Sequence, residues 1–316
     1  MTDVSPVSIS RDFETSPTNN PSSYSPGMEP TLGHVTANGI DFTYFEAGSG
    51  PLALCLHGYP DSAHTWRHLL PTLANAGFHA VAPFLRGYAP SALASDGQYQ
   101  SGVIGMDANA IHAALGGDGD ALVIGHDWGA MGAYAAAHLE PERWRRVVTA
   151  AVPPGAVVAE GFMSYEQLRL SWYMFFQLNP LSDMVVPMDD FDFVKKLWRD
   201  WSPGYDGSED VRHFIDCMAT PDNITAALSY YRQTLQFELQ APELADAQAG
   251  TLTMPTQPLL YLHGRDDGCM GAWLAEKAAD HLTVDGSRAE MLSGAGHFLH
   301  LERPDEVNAL ILDFIR

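Results

Sequence analysis

Gly125-His-Asp-Trp-Gly-Ala130 lies between an apolar run, Ala121-Leu-Val-Ile124, and a stretch of helix composition, Met131-Gly-Ala-Tyr-Ala-Ala-Ala-His138. A strand that turns sharply into a helix needs glycines where backbones crowd, and Gly125 and Gly129 bracket this turn. Such a turn often carries the pattern G-x-S-x-G, with a nucleophilic serine at its tip. Here the tip residue is Asp127. The turn displays a carboxylate where a hydroxyl is expected.

Short apolar runs alternate with helix-length segments on either side of this turn. Leu52–Leu56 precedes a helix near 62–76, Ala80–Ala82 a helix near 102–115, and Ala121–Ile124 the helix after Gly129, with Val147–Val152 as a further strand. Strands that are apolar throughout are buried on both faces, which predicts a mostly parallel, doubly covered sheet. Asn38-Gly39 between His34–Ala37 and Ile40–Phe45 predicts a tight hairpin, so the sheet begins antiparallel. The alternation stops at Pro153-Pro154 and resumes at Leu259-Leu-Tyr-Leu262. Between them, residues 155–250 are rich in helix-like, aromatic-studded segments. We read an α/β core over 33–154 and 251–316, with a helical cap inserted at 155–250 above the carboxyl ends of the strands, where open α/β sheets bind ligands. Residues 1–32 collect Ser, Pro, Asn and Thr and are expected to form a flexible leader.

The bulk properties narrow the function. A chain of 316 residues, 46% apolar, can bury one large core. A net charge of −22, from 17 basic and 39 acidic residues, excludes the clustered cations that nucleic acid or an anionic membrane would require. No apolar run approaches the ~18 residues of a membrane span, and the first residues lack a signal-peptide layout. Cys55, Cys217 and Cys269 are odd in number and lack metal-ligand spacing. A cytoplasmic protein with neither metal nor cofactor is expected.

Three loops at strand ends carry reactive groups. Asp127 is on the turn, Asp267 lies in His263-Gly-Arg-Asp-Asp-Gly268, and His297 lies in Ser293-Gly-Ala-Gly-His-Phe298. A fourth loop, His57-Gly-Tyr-Pro60, follows a strand and would set the N–H of Tyr59 beside that of Trp128 as a two-donor oxyanion hole. Each piece has a plainer explanation. Asp127 would suit a helix N-cap, Asp266 competes with Asp267, and His297 and its neighbour His300 could be loop histidines satisfied by backbone. The order nucleophile, acid, histidine, with each group at a strand end, favours a single site.

With these motifs in hand, the chain resembles an α/β-hydrolase of the epoxide hydrolase branch, which also contains haloalkane and haloacetate dehalogenases. The resemblance runs from about residue 34 to the C-terminus through His57-Gly-Tyr-Pro60, Gly125-His-Asp-Trp-Gly129 and Gly296-His-Phe-Leu-His-Leu-Glu-Arg-Pro304. It implies the α/β-hydrolase fold, with a mostly parallel eight-stranded sheet and helices on both faces. It also implies Asp127 as nucleophile, His297 as general base and Asp267 as the residue that orients it. Ser171–Gln177 and Ala227–Gln233 resemble the segments from which epoxide hydrolases project two tyrosines, which match Tyr173 and Tyr231 here. The spacing from Tyr173 to Gln177 is one residue shorter than usual, which leaves Trp172 and Tyr165 as alternatives. His57, Pro60, Trp172 and Phe176 are expected to contact substrate.

A carboxylate is ionised at neutral pH and needs no base to attack. It suits displacement at a strained or halogen-bearing sp³ carbon, whereas a serine with a base suits acyl carbon. The expected partners are therefore water and a small, neutral, hydrophobic epoxide. The alternatives are a dehalogenase with the same Asp nucleophile and a ligand-binding protein on the same fold. Tyr59 stands where many haloalkane dehalogenases have Asn, and Trp128 where haloacetate dehalogenases prefer Arg, which favours the epoxide.

Overall fold

Asn38 and Gly39 turn the chain back on itself with φ of 46° and 72°, the positive values a tight hairpin turn demands. Ala37 at the end of β1 (Thr31–Ala37) therefore faces Ile40 at the start of β2 (Ile40–Gly48). The computed structural model describes residues 29–316. Of the leader expected over 1–32, residues 1–28 lie outside the described residues. Its last two do not belong to it: Thr31 and Leu32 pair with Glu46 and Phe45 as part of β1.

The other strands are β3 (Leu52–Leu56), β4 (His79–Pro83), β5 (Ala121–His126), β6 (Trp144–Ala150), β7 (Leu259–Gly264) and β8 (Arg288–Leu292). They form one eight-stranded sheet in the order β1-β2-β4-β3-β5-β6-β7-β8. Pairings of β2 with β1 and β4 are antiparallel, and the remaining five are parallel. Every residue of β3, β5 and β7 is buried. Since successive side chains point to opposite faces, both faces of the sheet are covered. The covering helices in the first half are α1 (Leu69–Asn75), α2 (Gly102–Ala114) and α3 (Trp128–Leu139). The helix expected over 62–76 is split into a 3₁₀ turn at Ala63–Trp66 and α1, because Pro71 has no N–H with which to continue a helix from upstream.

Between β6 and β7 the described chain is helical: α4 (Gly155–Gly161), α5 (Tyr165–Leu170), α6 (Trp172–Gln177), α7 (Ser182–Val185), α8 (Met188–Trp201), α9 (Ser208–Cys217), α10 (Pro221–Leu235) and α11 (Ala245–Gly250). The last of these rests on the sheet-covering layer: a Cβ on Gly102 of α2 would lie 2.4 Å from the Ala247 carbonyl carbon, and Gly250 lies against Ala135 and His138 of α3. By packing, α11 belongs with α2 and α3. The chain closes with α12 (Ala272–Ala275), α13 (Ala278–His281), α14 (Leu299–Glu302) and α15 (Pro304–Ile315). Among the described residues no helix is long and apolar enough to cross a membrane.

Two features fix the parts that matter for the site. At the β5–α3 turn, a Cβ on Gly125 would lie 2.1 Å from the Gly129 carbonyl oxygen, and one on Gly129 would lie 2.0 Å from the carbonyl oxygen of Leu56 in β3. No larger residue fits at either position. Below the loops, Arg86 is buried and donates through Nε and Nη2 to Asp107 Oδ2 and Oδ1 at 2.6 and 2.5 Å, while Asn38 Nδ2 donates to Oδ1 at 2.8 Å. This group ties the loop after β4 to α2 and to the hairpin. Asp107→Ala strands a buried guanidinium and is expected to cost roughly 3–5 kcal/mol. The paired change Arg86→Met with Asp107→Leu should cost clearly less. Urea unfolding of both variants checks the order, and equal losses would show that the charges themselves are not what matters.

Candidate active site

Asp127 caps α3 with φ 53° and ψ −119°, outside the regions a side-chain-bearing residue favours and typical of a functional turn. Its side chain points toward the loop after β3. There the N–H of Tyr59 donates to Asp127 Oδ1 at 2.8 Å, and a Cβ on Gly58 would lie 2.3 Å from that same oxygen. One carboxylate oxygen is thus engaged by backbone. The other, Oδ2, is 3.6 Å from His297 Nε2.

His297 follows β8 and is fully buried. Its Nδ1 is 3.0 Å from Asp267 Oδ2, an acceptor, so Nδ1 carries a proton and Nε2 faces Asp127. Asp267 Oδ1 accepts the N–H groups of Cys269 and Met270 at 2.7 and 2.9 Å. The neighbouring Asp266 is exposed, which resolves the choice between the two acids by position. Burial disfavours the imidazolium, but Asp267 and its hydrogen bond, Cys269 and the nearby Asp127 carboxylate outweigh it and hold His297 well above its ordinary pKa. Burial would likewise raise the Asp267 carboxyl, yet the charge and hydrogen bond of His297 bring it below the usual carboxylate value. The pair stabilise each other's charged forms.

A cavity of about 490 Å³ opens beside Asp127. Trp128, Tyr173, Tyr231 and Cys269 line its reactive end, and Met131, Val158, Phe162, Met174 and Leu235 its walls. Phe237 and Leu252, both on the wall, are 81% and 52% exposed. Tyr231 packs edge-on against Tyr59, Trp128 and Tyr173, with ring centroids 5.4, 4.7 and 5.8 Å away. Its hydroxyl is buried without a hydrogen-bond partner, as are Trp128 Nε1 and His297 Nε2. The Tyr173 hydroxyl is 3.2 Å from Cys269 Sγ. Burial above all pushes both phenols well above their ordinary pKa. They remain proton donors through the physiological range.

The adjacent Tyr230 is turned away, its hydroxyl donating to the Arg86 carbonyl at 2.9 Å. Tyr165, 72% exposed, lies outside the cavity lining. Of the four residues expected to contact substrate, His57, Pro60, Trp172 and Phe176, none lines this cavity. His57 is buried, and burial above all lowers its pKa to about 4. Its neutral ring braces the loop, with Nδ1 2.9 Å from the Gly58 carbonyl and Nε2 accepting the Leu85 N–H at 3.0 Å. The Pro60 carbonyl accepts from Trp198 Nε1 at 2.8 Å. Trp172 and Phe176 face outward onto Phe193. On α6, Tyr173 and Gln177 are four apart and point inward, so Trp172 and Phe176, also four apart, occupy the next face. Gln177 Nε2 donates to the Tyr59 hydroxyl at 2.9 Å. Cys269 was not singled out from sequence as a site residue, although its place two residues after Asp267 was the available signal.

Residues 53–310 match the alpha/beta hydrolase family. The chain is 29% identical over 328 residues to Epoxide hydrolase A of Mycobacterium tuberculosis, a match spanning 90% of this chain and 97% of that protein. It is 31% identical over 297 residues to Epoxide hydrolase 3 of Xenopus tropicalis, spanning 88% of this chain and 76% of the relative. The crystal structure of Bacillus megaterium epoxide hydrolase in complex with an inhibitor is similar with a TM-score of 0.75 at 26% identity, covering 90% of this chain and 99% of that one. A match that runs from β3 into α15, with a relative 31% identical along most of both lengths, makes the chain a member of the alpha/beta hydrolase family, in its epoxide hydrolase-like branch.

Proposed function

We propose that the enzyme hydrolyses an epoxide to a vicinal diol through a covalent ester on Asp127. The observation that carries this reading is a carboxylate at the turn in the same cavity as two buried phenols. Oδ2 of Asp127, free of backbone donors, attacks an epoxide carbon. The C–O bond breaks, and the oxygen takes a proton from Tyr231 or Tyr173. Water then attacks Cγ of the ester while His297 Nε2 accepts its proton and Asp267 stabilises the imidazolium. The N–H groups of Tyr59 and Trp128 hold the oxyanion that forms on Asp127. The tetrahedral intermediate collapses, the proton of the new carboxyl passes to the departing alkoxide, the diol leaves, and Asp127 returns as a carboxylate carrying one oxygen from water.

His297 must be neutral to act as a base, and in the free enzyme the Asp127 carboxylate, 3.6 Å from Nε2, helps keep it charged. Esterification removes the Asp127 charge, and the imidazole gives up its proton to the phenolate that ring opening leaves. The residues 155–244 serve as a cap over this site. Among the described residues no Lys or Arg lines the cavity, which favours a neutral, hydrophobic substrate and disfavours a haloacetate. The unpaired Trp128 Nε1 would also suit a departing halide, so a haloalkane dehalogenase is the second reading. Halide release without diol formation from epoxides would select it, and binding without turnover would select a carrier. With Cys55, Cys217 and Cys269 all free and buried, we place the enzyme in the cytoplasm.

Styrene oxide should be converted to its diol, and single turnover in ¹⁸O-water with enzyme in excess should put the label into Asp127. Label in the diol alone would mean direct hydration. His297→Ala should accumulate the Asp127 adduct, seen by mass spectrometry, while Asp127→Ala should fold and do neither. Tyr231→Phe and Tyr173→Phe should each slow alkylation by roughly 10- to 100-fold, and unchanged pre-steady-state alkylation in both would remove the phenols from the mechanism. Because Asp267 raises the pKa of the base, the rate of ester hydrolysis should climb with pH through a limb above the ordinary histidine value. Asp267→Asn should move that limb to lower pH as well as reduce the rate; a limb that stays or moves upward contradicts the assignment.

A further inference from the structure

Behind the catalytic residues lies a second, wholly internal cluster: Asp61 at 1%, His126 at 0% and His300 at 4% exposure. Each brings one donor atom to within 4.8 Å of the others. Asp61 follows Pro60 in the loop after β3, His126 ends β5, and His300 lies in α14. Each is held from its far side. His126 Nε2 is 2.9 Å from the carbonyl oxygen of His297, which can only accept, so Nε2 carries the proton. His300 Nε2 is 2.6 Å from Thr65 Oγ1. Asp61 Oδ1 accepts the N–H of Ser62 at 2.7 Å.

These bonds leave Asp61 Oδ2, His126 Nδ1 and His300 Nδ1, and all three are buried with no hydrogen-bond partner. His126, with its proton on Nε2, presents a bare lone pair at Nδ1 toward the other two. Buried acceptors are costly to leave unmet. Arg67, the cation acting on this cluster, is paired instead with Asp210 at 2.6 Å.

We propose that Asp61, His126 and His300 bind a divalent transition metal ion, zinc by preference, as a clamp beneath the active site. Two imidazole nitrogens and one carboxylate oxygen are a zinc-type donor set and a poor one for calcium or magnesium. Each ligand already has the outer partner that metal ligands characteristically have: the His297 carbonyl for His126, the Thr65 hydroxyl for His300 and the Ser62 N–H for Asp61. A tetrahedral ion completes its shell with one water. The clamp joins the three loops that carry the chemistry: Asp61 is two residues past Tyr59, His126 precedes Asp127, and His300 is three past His297. Fixing His126 also fixes the N–H that holds the His297 carbonyl. The ligands lie far apart in sequence, which is why spacing gave no hint of them. The proposal does not depend on which substrate the enzyme takes.

The test loads the full chain with zinc chloride after dialysis against a chelator, then measures bound metal by mass spectrometry and melting temperature with and without zinc. A second cluster, Asp127, Cys269 and His297, also holds donor atoms within 4.8 Å, so Cys269→Ala is measured in parallel. The expected result is one tightly held equivalent in the wild type and in Cys269→Ala, with a raised melting temperature. Asp61→Asn and His300→Gln should bind more weakly by more than the roughly 10- to 100-fold that loss of a ligand's outer partner costs, and zinc should no longer raise their melting temperature. Cobalt substitution should give a tetrahedral visible spectrum without a thiolate charge-transfer band. Absence of retained zinc, equal retention in both ligand variants, or a thiolate band overturns the proposal. Should those variants not fold, anomalous scattering at the zinc edge from wild-type crystals decides alone, and ordinary water density between the three side chains refutes the metal.

Discussion

The backbone of Asp127 sits at a φ of 53°, a conformation that costs a residue with a side chain on the order of 1–3 kcal/mol. The surrounding structure is built so that it has nowhere else to go. β5 is buried on both faces, Gly125 and Gly129 bring α3 against the carbonyl of Leu56, and Tyr59 N–H takes hold of one carboxylate oxygen. The result is a carboxylate with one oxygen bound and one free. Under the proposed mechanism, that division separates the oxygen that attacks from the oxygen that later bears charge, before any substrate arrives.

Dryness does the rest. Around Asp127 the unpaired polar atoms are not scattered: Tyr231 Oη, Trp128 Nε1 and His297 Nε2 are buried, partnerless and gathered at one end of the cavity. In a low-dielectric site such groups interact strongly with whatever enters. Burial keeps the phenols protonated, and the Asp267 carboxylate favours the charged imidazole. Under the proposed mechanism the two kinds of group take opposite tasks, one to give a proton and one to take it.

Much of this was legible in the sequence, and for identifiable reasons. Asn38-Gly39, the apolar strands and the order Asp127, Asp267, His297 are local or ordinal signals, and they survive without knowledge of packing. The contacts made by Trp172 and Phe176 are not of that kind. A six-residue helix is too short for its phase to be read from periodicity, so which face of α6 meets the cavity depends on tertiary packing. His57 and Pro60 lie in the right loop but turn into the protein, where they brace it. The cluster of Asp61, His126 and His300 was invisible because three distant loops assemble it, and His300 read alone is an ordinary loop histidine.

One hydrogen bond bears on how molecules travel. Gln177 of α6 is joined to the phenol of Tyr59 beneath it, so the helix carrying Tyr173 is moored to the loop whose N–H holds Asp127 and cannot lift away without disturbing that bond. Traffic is left to the far end, where Phe237 and Leu252 stand half in water and half in the cavity wall. Under the proposed function that leaves an apolar sill at the open end of the cavity, which the bulk of an arriving epoxide meets before its ring reaches the carboxylate.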